Sequence, residues 1–238
     1  MTDQGFEHTV LIRSKAAPYR IRHSRRALRS AIKIDPRTGL EVVLPQGMPD
    51  EAAKEILRDN SGWLDRHADI VHRAHRTLLM KNGSQIPLRG IWMNLEIIFG
   101  APPRISYDQS TIRIFTQNPD DENAIRAQLE KWFRLFARSV ITQRVDALHH
   151  QNDGGINQII IRDQTTCWAS CSAQGTLSFN WRLVMTPPEV LDAIITHELV
   201  HLQINDHSKV FWNKLINRFP RYYTCRRWLD SNSYRLGI

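Results

Sequence analysis

The reading of this chain turns on Thr196-His197-Glu198-Leu199-Val200-His201, with His207 six positions further on. An H-E-x-x-H run in a helix puts its two histidines about 40° apart around the axis, so both imidazoles can meet one metal ion. Glu198 lies about 60° to the side of His201, too far round for a third ligand but well placed to reach a water on the metal. Two neutral imidazoles, a carboxylate base and a water are the parts of a hydrolytic zinc site. The plainer alternative is an ordinary helix with two buried, satisfied histidines. The surroundings weigh against it. Thr186-Pro187-Pro188-Glu189 reads as a capping box with proline at the first helical position. Val190, Leu191, Ile194 and Ile195 continue at helical spacing, and Val190 and Ile194 share the histidine face.

A third ligand is found by elimination. No Glu follows Glu198, which leaves Asp206, His207, Cys225 and Asp230 downstream. His207 follows an Asn205-Asp206 turn, and Asn tolerates the left-handed conformation that ends helices. The chain can then fold back and aim His207 at the metal, with Asp206 or Asp230 next in line. The metzincin pattern needs a Gly three residues after its second His; here that position is Ile204.

Several stretches around the motif match a known family: Trp168, Ser170-Cys171-Ser172, Phe179-Asn180-Trp181-Arg182-Leu183, Pro188, His197-Glu198-Leu199, His201-Leu202, Asn205, His207-Ser208 and Phe211-Trp212. Through these the stretch from about Asp163 to Trp228 resembles the YgjP-like metallopeptidase family, which is related to the SprT-like metalloproteases. Weaker similarity, including Arg25-Arg26 and Trp63, runs through the whole chain. The family carries Arg and Gly where this chain has Cys167 and Ala169, and the metal motif is complete. The resemblance implies a zincin-like core in which a second helix packs against the metal-site helix and a strand beside the cleft pairs with an extended peptide. It also brings a rival substrate, since phosphohydrolase activity on nucleoside triphosphates is attributed within the family.

The chain has 238 residues, 42% hydrophobic, with a formal net charge of +8, enough for a packed core and a bias toward polyanionic partners. Its three cysteines, Cys167, Cys171 and Cys225, make no disulfide framework or C-x-x-C knuckle and read as reduced thiols. The N-terminus lacks the basic-then-apolar layout of a signal peptide, and no stretch approaches eighteen apolar residues. The expectation is a cytoplasmic protein with no membrane contact. The sequence says nothing of oligomeric state.

Along the chain, residues 13–37 carry nine Lys or Arg and a single acid, Asp35. Tyr19 to His23, Ala27 to Asp35 and Leu40 to Leu44 read as strands, with a turn at Pro36-Arg37-Thr38-Gly39. This predicts a β-meander with a basic outer face. Such a face either contacts nucleic acid or keeps an exposed sheet edge from pairing. Pro49 to about Leu79 reads as helix, broken near Asn60-Ser61-Gly62. His72 and His75 there could share a face, but with no third donor they read as a solvated surface. Trp92 to Phe99, and a hairpin of Arg104 to Tyr107 with Thr111 to Thr116, follow. Asn118-Pro119-Asp120-Asp121 opens a long helix with an apolar stripe from Ile125 to Leu148, expected to pack on the metal-site helix. Gln158 to Arg162 is a short strand. Gly175 to Met185 is a longer one, either an edge able to take a peptide or an interior strand. Ser208 to Phe219 is a helix ended by Pro220.

The expected architecture is α+β. A β-rich portion with an intervening helix occupies 1–117. A helical zincin-like core with a small antiparallel sheet occupies 118–238, and the two together make one family domain over about 20–230. The expected function is a zinc-dependent metallohydrolase acting on protein or peptide, with zinc on His197, His201 and His207 and Glu198 as base. The rivals are a nucleoside-triphosphate phosphohydrolase at the same site, and a nucleic-acid-associated protease docked through the basic N-terminal portion. A metal-bearing pseudo-enzyme is a further rival, against which the intact Glu198 counts. Tyr222, Tyr223, Arg226 and Arg227 are the candidates for an oxyanion donor, with no choice among them.

Overall fold

A computed structural model describes residues 8–35, 39–68, 71, 80–164, 167–233 and 236. The chain divides into two compact units, residues 1–77 with 233–237, and residues 78–232 with 238. The architecture is α+β, and the break expected at 117/118 falls inside the second unit. His72, His75 and the Pro36-Arg37-Thr38 turn lie outside the described residues.

In the first unit, Arg13 and Ser14 both take positive φ (47° and 63°), the tight turn that matches the twist of a two-stranded hairpin. It joins β1 (His8–Ile12) to β2 (Lys15–Ser24). β3 (Ala31–Asp35) and β4 (Gly39–Pro45) complete a sheet of order β1-β2-β4-β3 whose central pair, β2 with β4, is parallel. This corrects the expected meander. Residues 25–30 form a link too long for a tight hairpin, so the chain passes beyond the place β4 takes and β3 becomes the far edge. α1 (Ala52–Asp59) and α2 (Ser61–Arg66) close the inner face with Leu57 and Leu64 against Tyr19, Leu40, Val42 and Leu44. Asn60 separates the helices, its side-chain amide donating to the Ile56 carbonyl at 2.8 Å.

The second unit begins with the same wiring. β5 (Gln85–Leu88), β6 (Ile91–Phe99), β7 (Arg104–Tyr107) and β8 (Thr111–Thr116) form a sheet of order β5-β6-β8-β7, again with a parallel centre. Even the registers correspond: Leu95 faces Ile112 as Tyr19 faces Leu40, and Ile105 faces Ile114 as Ile32 faces Val42. The β5–β6 turn repeats the positive φ values at Arg89 and Gly90 (51° and 80°). Gly90 is required twice over, because a Cβ there would also come within 2.9 Å of Pro187.

α3 (Glu122–Leu148) is capped by Asp121, the last residue of the Asn118-Pro119-Asp120-Asp121 opening, whose carboxylate accepts from the Asn123 and Ala124 amides at 3.0 Å. α3 buries Ile125, Leu129, Phe133, Ala137, Ile141 and Val145, one residue per turn. The third sheet holds β9 (Gln158–Arg162), β10 (Ala169–Cys171) and β11 (Thr176–Asn180) in the order β10-β11-β9. β9 runs parallel to β11, so this sheet is mixed rather than antiparallel; the edge strand β10 lies in the link that makes the parallel return possible. β11 is interior, and it ends at Asn180 rather than Met185. The Asn180 side chain accepts from the Arg182 amide and turns the chain into a buried 3-10 turn, Trp181–Met185.

α4 (Pro188–His201), α5 (Lys209–Arg218) and α6 (Tyr222–Asn232) finish the unit. The capping box does not form: Thr186 Oγ1 donates back to the Leu183 carbonyl at 2.7 Å, and α4 starts on Pro188 without a side-chain cap. α3 packs on α4 as expected. A forked pair joins them, with Arg144 Nε and Nη2 donating to the two Asp192 carboxylate oxygens at 2.8 Å. Among the described residues no helix is long and apolar enough to cross a membrane.

Candidate metal centre

α4 buries most of its surface, including Leu191, Ala193, Ile194, Ile195, Leu199 and Val200. That packing fixes its rotation and leaves His197 and His201 on a half-buried side. The helix ends at His201, whose Nδ1 lies 2.9 Å from the Ile204 carbonyl. This contact assigns the proton to Nδ1 and leaves the Nε2 lone pair for an ion. The Asp206 carboxylate then accepts the Ser208 amide at 3.1 Å, a local turn that brings His207 back over the end of α4.

The three Nε2 atoms converge. They stand 3.2 Å (His197–His201), 3.1 Å (His201–His207) and 3.2 Å (His197–His207) apart. Tetrahedral nitrogens about 2.0–2.1 Å from a zinc ion are separated by roughly 3.3–3.4 Å, so the triangle fits such an ion closely. Without a cation, three imidazole nitrogens at this spacing would repel through their lone pairs. His197, His201 and His207 are the group able to hold a metal among the described residues. The other candidate donors are engaged elsewhere: Asp206 in its turn, Asp230 with Arg226 at 3.1 Å, and Cys225 buried with its thiol toward the Glu189 carbonyl.

Aromatic rings hold the imidazoles. Phe211 stacks on His201 at 4.3 Å and meets His197 edge-on; Trp212 stacks on His207 at 5.6 Å; Tyr222 lies flat against His197, 5.5 Å between centroids and 16° between planes. Burial, with the neighbouring imidazoles, takes the His197 pKa down to about 3, which favours the neutral, metal-binding form. His197 Nδ1 is buried and has no hydrogen-bond partner among the described residues, so ring packing rather than a polar acceptor orients this imidazole.

Glu198 is 5% exposed, and among the described residues no hydrogen bond or ion pair meets its carboxylate. Burial alone pushes its pKa up to about 8. In its ionised form such a carboxylate is a stronger proton acceptor than an exposed one. The Cys171 thiol is pushed up to about 11 by burial and by Glu198, so it stays protonated. All three cysteines are free.

The residues that sequence reasoning only grouped are Tyr222 and Arg226. Tyr222, Arg226 and Asp230 share one face of α6 at four-residue spacing, the signal that would have tied them together. Tyr222 rests on His197 with its phenol against Arg226, and Arg226 pairs with Asp230.

Two imidazoles and a buried carboxylate on one helix, with a third imidazole from the loop beyond it, are the donor set a metal-dependent hydrolase of the peptidase type requires. The family model described as YgjP-like, metallopeptidase domain, matches residues 28–232, and the chain belongs to that family. No curated protein and no solved structure matches the chain.

Proposed function

We propose that this chain is a zinc-dependent peptidase in which His197, His201 and His207 hold the metal and Glu198 is the general base. The observation that carries the reading is the convergence of three Nε2 atoms within 3.1–3.2 Å of one another, next to a buried carboxylate that has no partner among the described residues. Zinc bound there would polarise a peptide carbonyl and lower the pKa of a bound water toward about 7. Three neutral imidazoles leave the ion its full charge. Glu198 takes the water proton on a carboxylate oxygen and passes it to the leaving amine, and its dry surroundings keep that oxygen basic.

The peptide is proposed to lie along β10. α4 packs against this strand, and among the described residues nothing pairs with its outer side. Ser170 is the residue whose backbone faces β11, because the flanking bonds Asn180 to Trp168 and Ser172 to Thr176 set the alternation. The peptide groups of Ala169 and Cys171 therefore face outward and can take an added strand. The interior β11 has no edge to offer. A nucleoside triphosphate at the same site is less favoured, since Arg226, a cation whose charge is felt at His197, is already neutralised by Asp230.

A second reading concerns the first unit: we propose that its basic face contacts nucleic acid. Arg25, Arg26 and Arg29 in the β2–β3 link are exposed and make no ion pair among the described residues. Arg22 is paired to Glu41 at 3.1 Å and contributes less. The deciding experiment is turnover of a peptide library and a nucleotide panel by zinc-loaded protein beside its Glu198→Gln variant. Peptide cleavage lost in the variant supports the peptidase. Nucleotide hydrolysis without peptide cleavage replaces it.

A further inference from the structure

The β10-β11-β9 sheet has a second face, opposite the fully buried Leu177 and Phe179. Strand alternation puts Ser170, Ser178 and Ile160 in one row across its three strands on that face. With Gln158, Arg162, Ser172 and Thr176 they line a groove of about 490 Å³ that reaches the outer strand β10. Ser178 is only 6% exposed although it points into this groove. Arg162, on β9, leans onto the neighbouring β11, its Nε donating to Ser178 Oγ at 3.3 Å. Among the described residues no other hydrogen bond and no ion pair holds Arg162. The lining contains no carboxylate. The neighbouring Asp163 is tied to Arg134 and Arg182 instead. The groove is therefore a mainly polar concavity, of hydroxyls and amides beside Ile160 and Cys171, with one uncompensated positive charge.

We propose that this groove is a side-chain subsite that selects an acidic residue, Asp or Glu, in the peptide being cleaved. The proposal rests on the docking of substrate along β10. A strand added to β10 sends every second side chain to the face of Ser170 and Ser172. A carboxylate arriving there meets the Arg162 guanidinium and the serine hydroxyls in charge-assisted hydrogen bonds. A Lys or Arg side chain would meet a like charge, and an alkyl side chain would leave the hydroxyls unpaired. A surface arginine on a flat sheet is ordinarily a solvating charge. This one is distinguished by its anchor on a buried serine and by the acid-free concavity around it.

The test is substrate profiling by zinc-loaded protein on a randomised peptide library, for the wild type and Arg162→Glu, with zinc content measured in both. The expected result is acid enriched about tenfold at one position in the wild type, a switch to Lys or Arg there in Arg162→Glu, and unchanged preferences elsewhere. Cleavage with the same profile in both proteins overturns the subsite and leaves the peptidase standing. Fluorescence anisotropy with Glu198→Gln protein and labelled acidic or neutral peptides separates the remaining cases. Acid-dependent binding that Arg162→Glu abolishes, with no cleavage by wild type, supports the subsite and removes the peptidase. Neither cleavage nor acid-dependent binding overturns both.

Discussion

Glu198→Gln should stabilise the metal-free protein while destroying its activity. Folding raises the Glu198 pKa from 4.5 to about 8 by burial. An acid whose folded pKa is raised binds its proton more tightly in the native state. Stability is then fully present below the unfolded pKa and is lost as pH rises toward the folded value. At about 1.4 kcal/mol per unit, the loss reaches roughly 3 kcal/mol by pH 7 and nearly 5 kcal/mol above pH 8, as an upper bound. The amide has the same shape and no proton to lose. Urea unfolding of chelator-treated wild type and Glu198→Gln at pH 5, 7 and 8.5 should show the variant gaining on the wild type as pH rises. His197 contributes a slope of the opposite sign, because its pKa is held down in the fold: its stability is present above about 6.5 and fades as pH falls. That slope is common to both proteins, so their difference isolates Glu198. With zinc restored, the variant should keep the metal and lose turnover by about a hundred- to ten-thousand-fold. Parallel pH curves for the two proteins would refute the burial argument, and near-normal turnover would remove Glu198 from the chemistry.

Removing His207 by His207→Ala should weaken zinc binding strongly, as read by competition with a chromogenic chelator; native affinity would point to Asp206 or Asp230 as the third ligand. Changing Arg25, Arg26 and Arg29 to Ser should flatten the salt dependence of nucleic-acid binding, at about −0.9 per lost phosphate contact on duplex DNA, with zinc content unchanged; no binding at low salt by the wild type ends that reading. Arg144→Ala should cost about 1 kcal/mol in urea unfolding, discounted because Arg144 is partly exposed, and should leave zinc stoichiometry at one per chain; a loss of zinc would show that α3 positions the ligands.

The convergence of the three histidines was legible because the information is local. His197 and His201 need only helical spacing, and His207 needs only a short turn that Asp206 and Ser208 close. The β7–β8 hairpin was legible for the same reason, its strands meeting across Asp108-Gln109-Ser110 at the expected bounds. The wiring of the sheets was not. Parallel pairing of β2 with β4 depends on where a six-residue link carries the chain, and alternation of side chains is the same for a meander. The end of β11 was hidden because Trp181, Leu183 and Met185 keep a period of two while Asn180 turns the backbone. The missing capping box has a similar cause: Thr186 had two uses for its hydroxyl, and the preceding turn took it.

All three imidazoles come from residues 197–207, on one helix end and the loop that leaves it. Closing so short a loop costs little chain entropy, and lengthening it would add only slowly to that cost. Metal binding should therefore draw on the α4–α5 turn alone and tighten it as a local unit. Amide hydrogen exchange would slow on zinc loading over residues 188–218, while the duplicated sheets at 8–45 and 85–116 keep the protection their own pairing gives them. The histidine cluster could then take up and release an ion without the sheets unfolding.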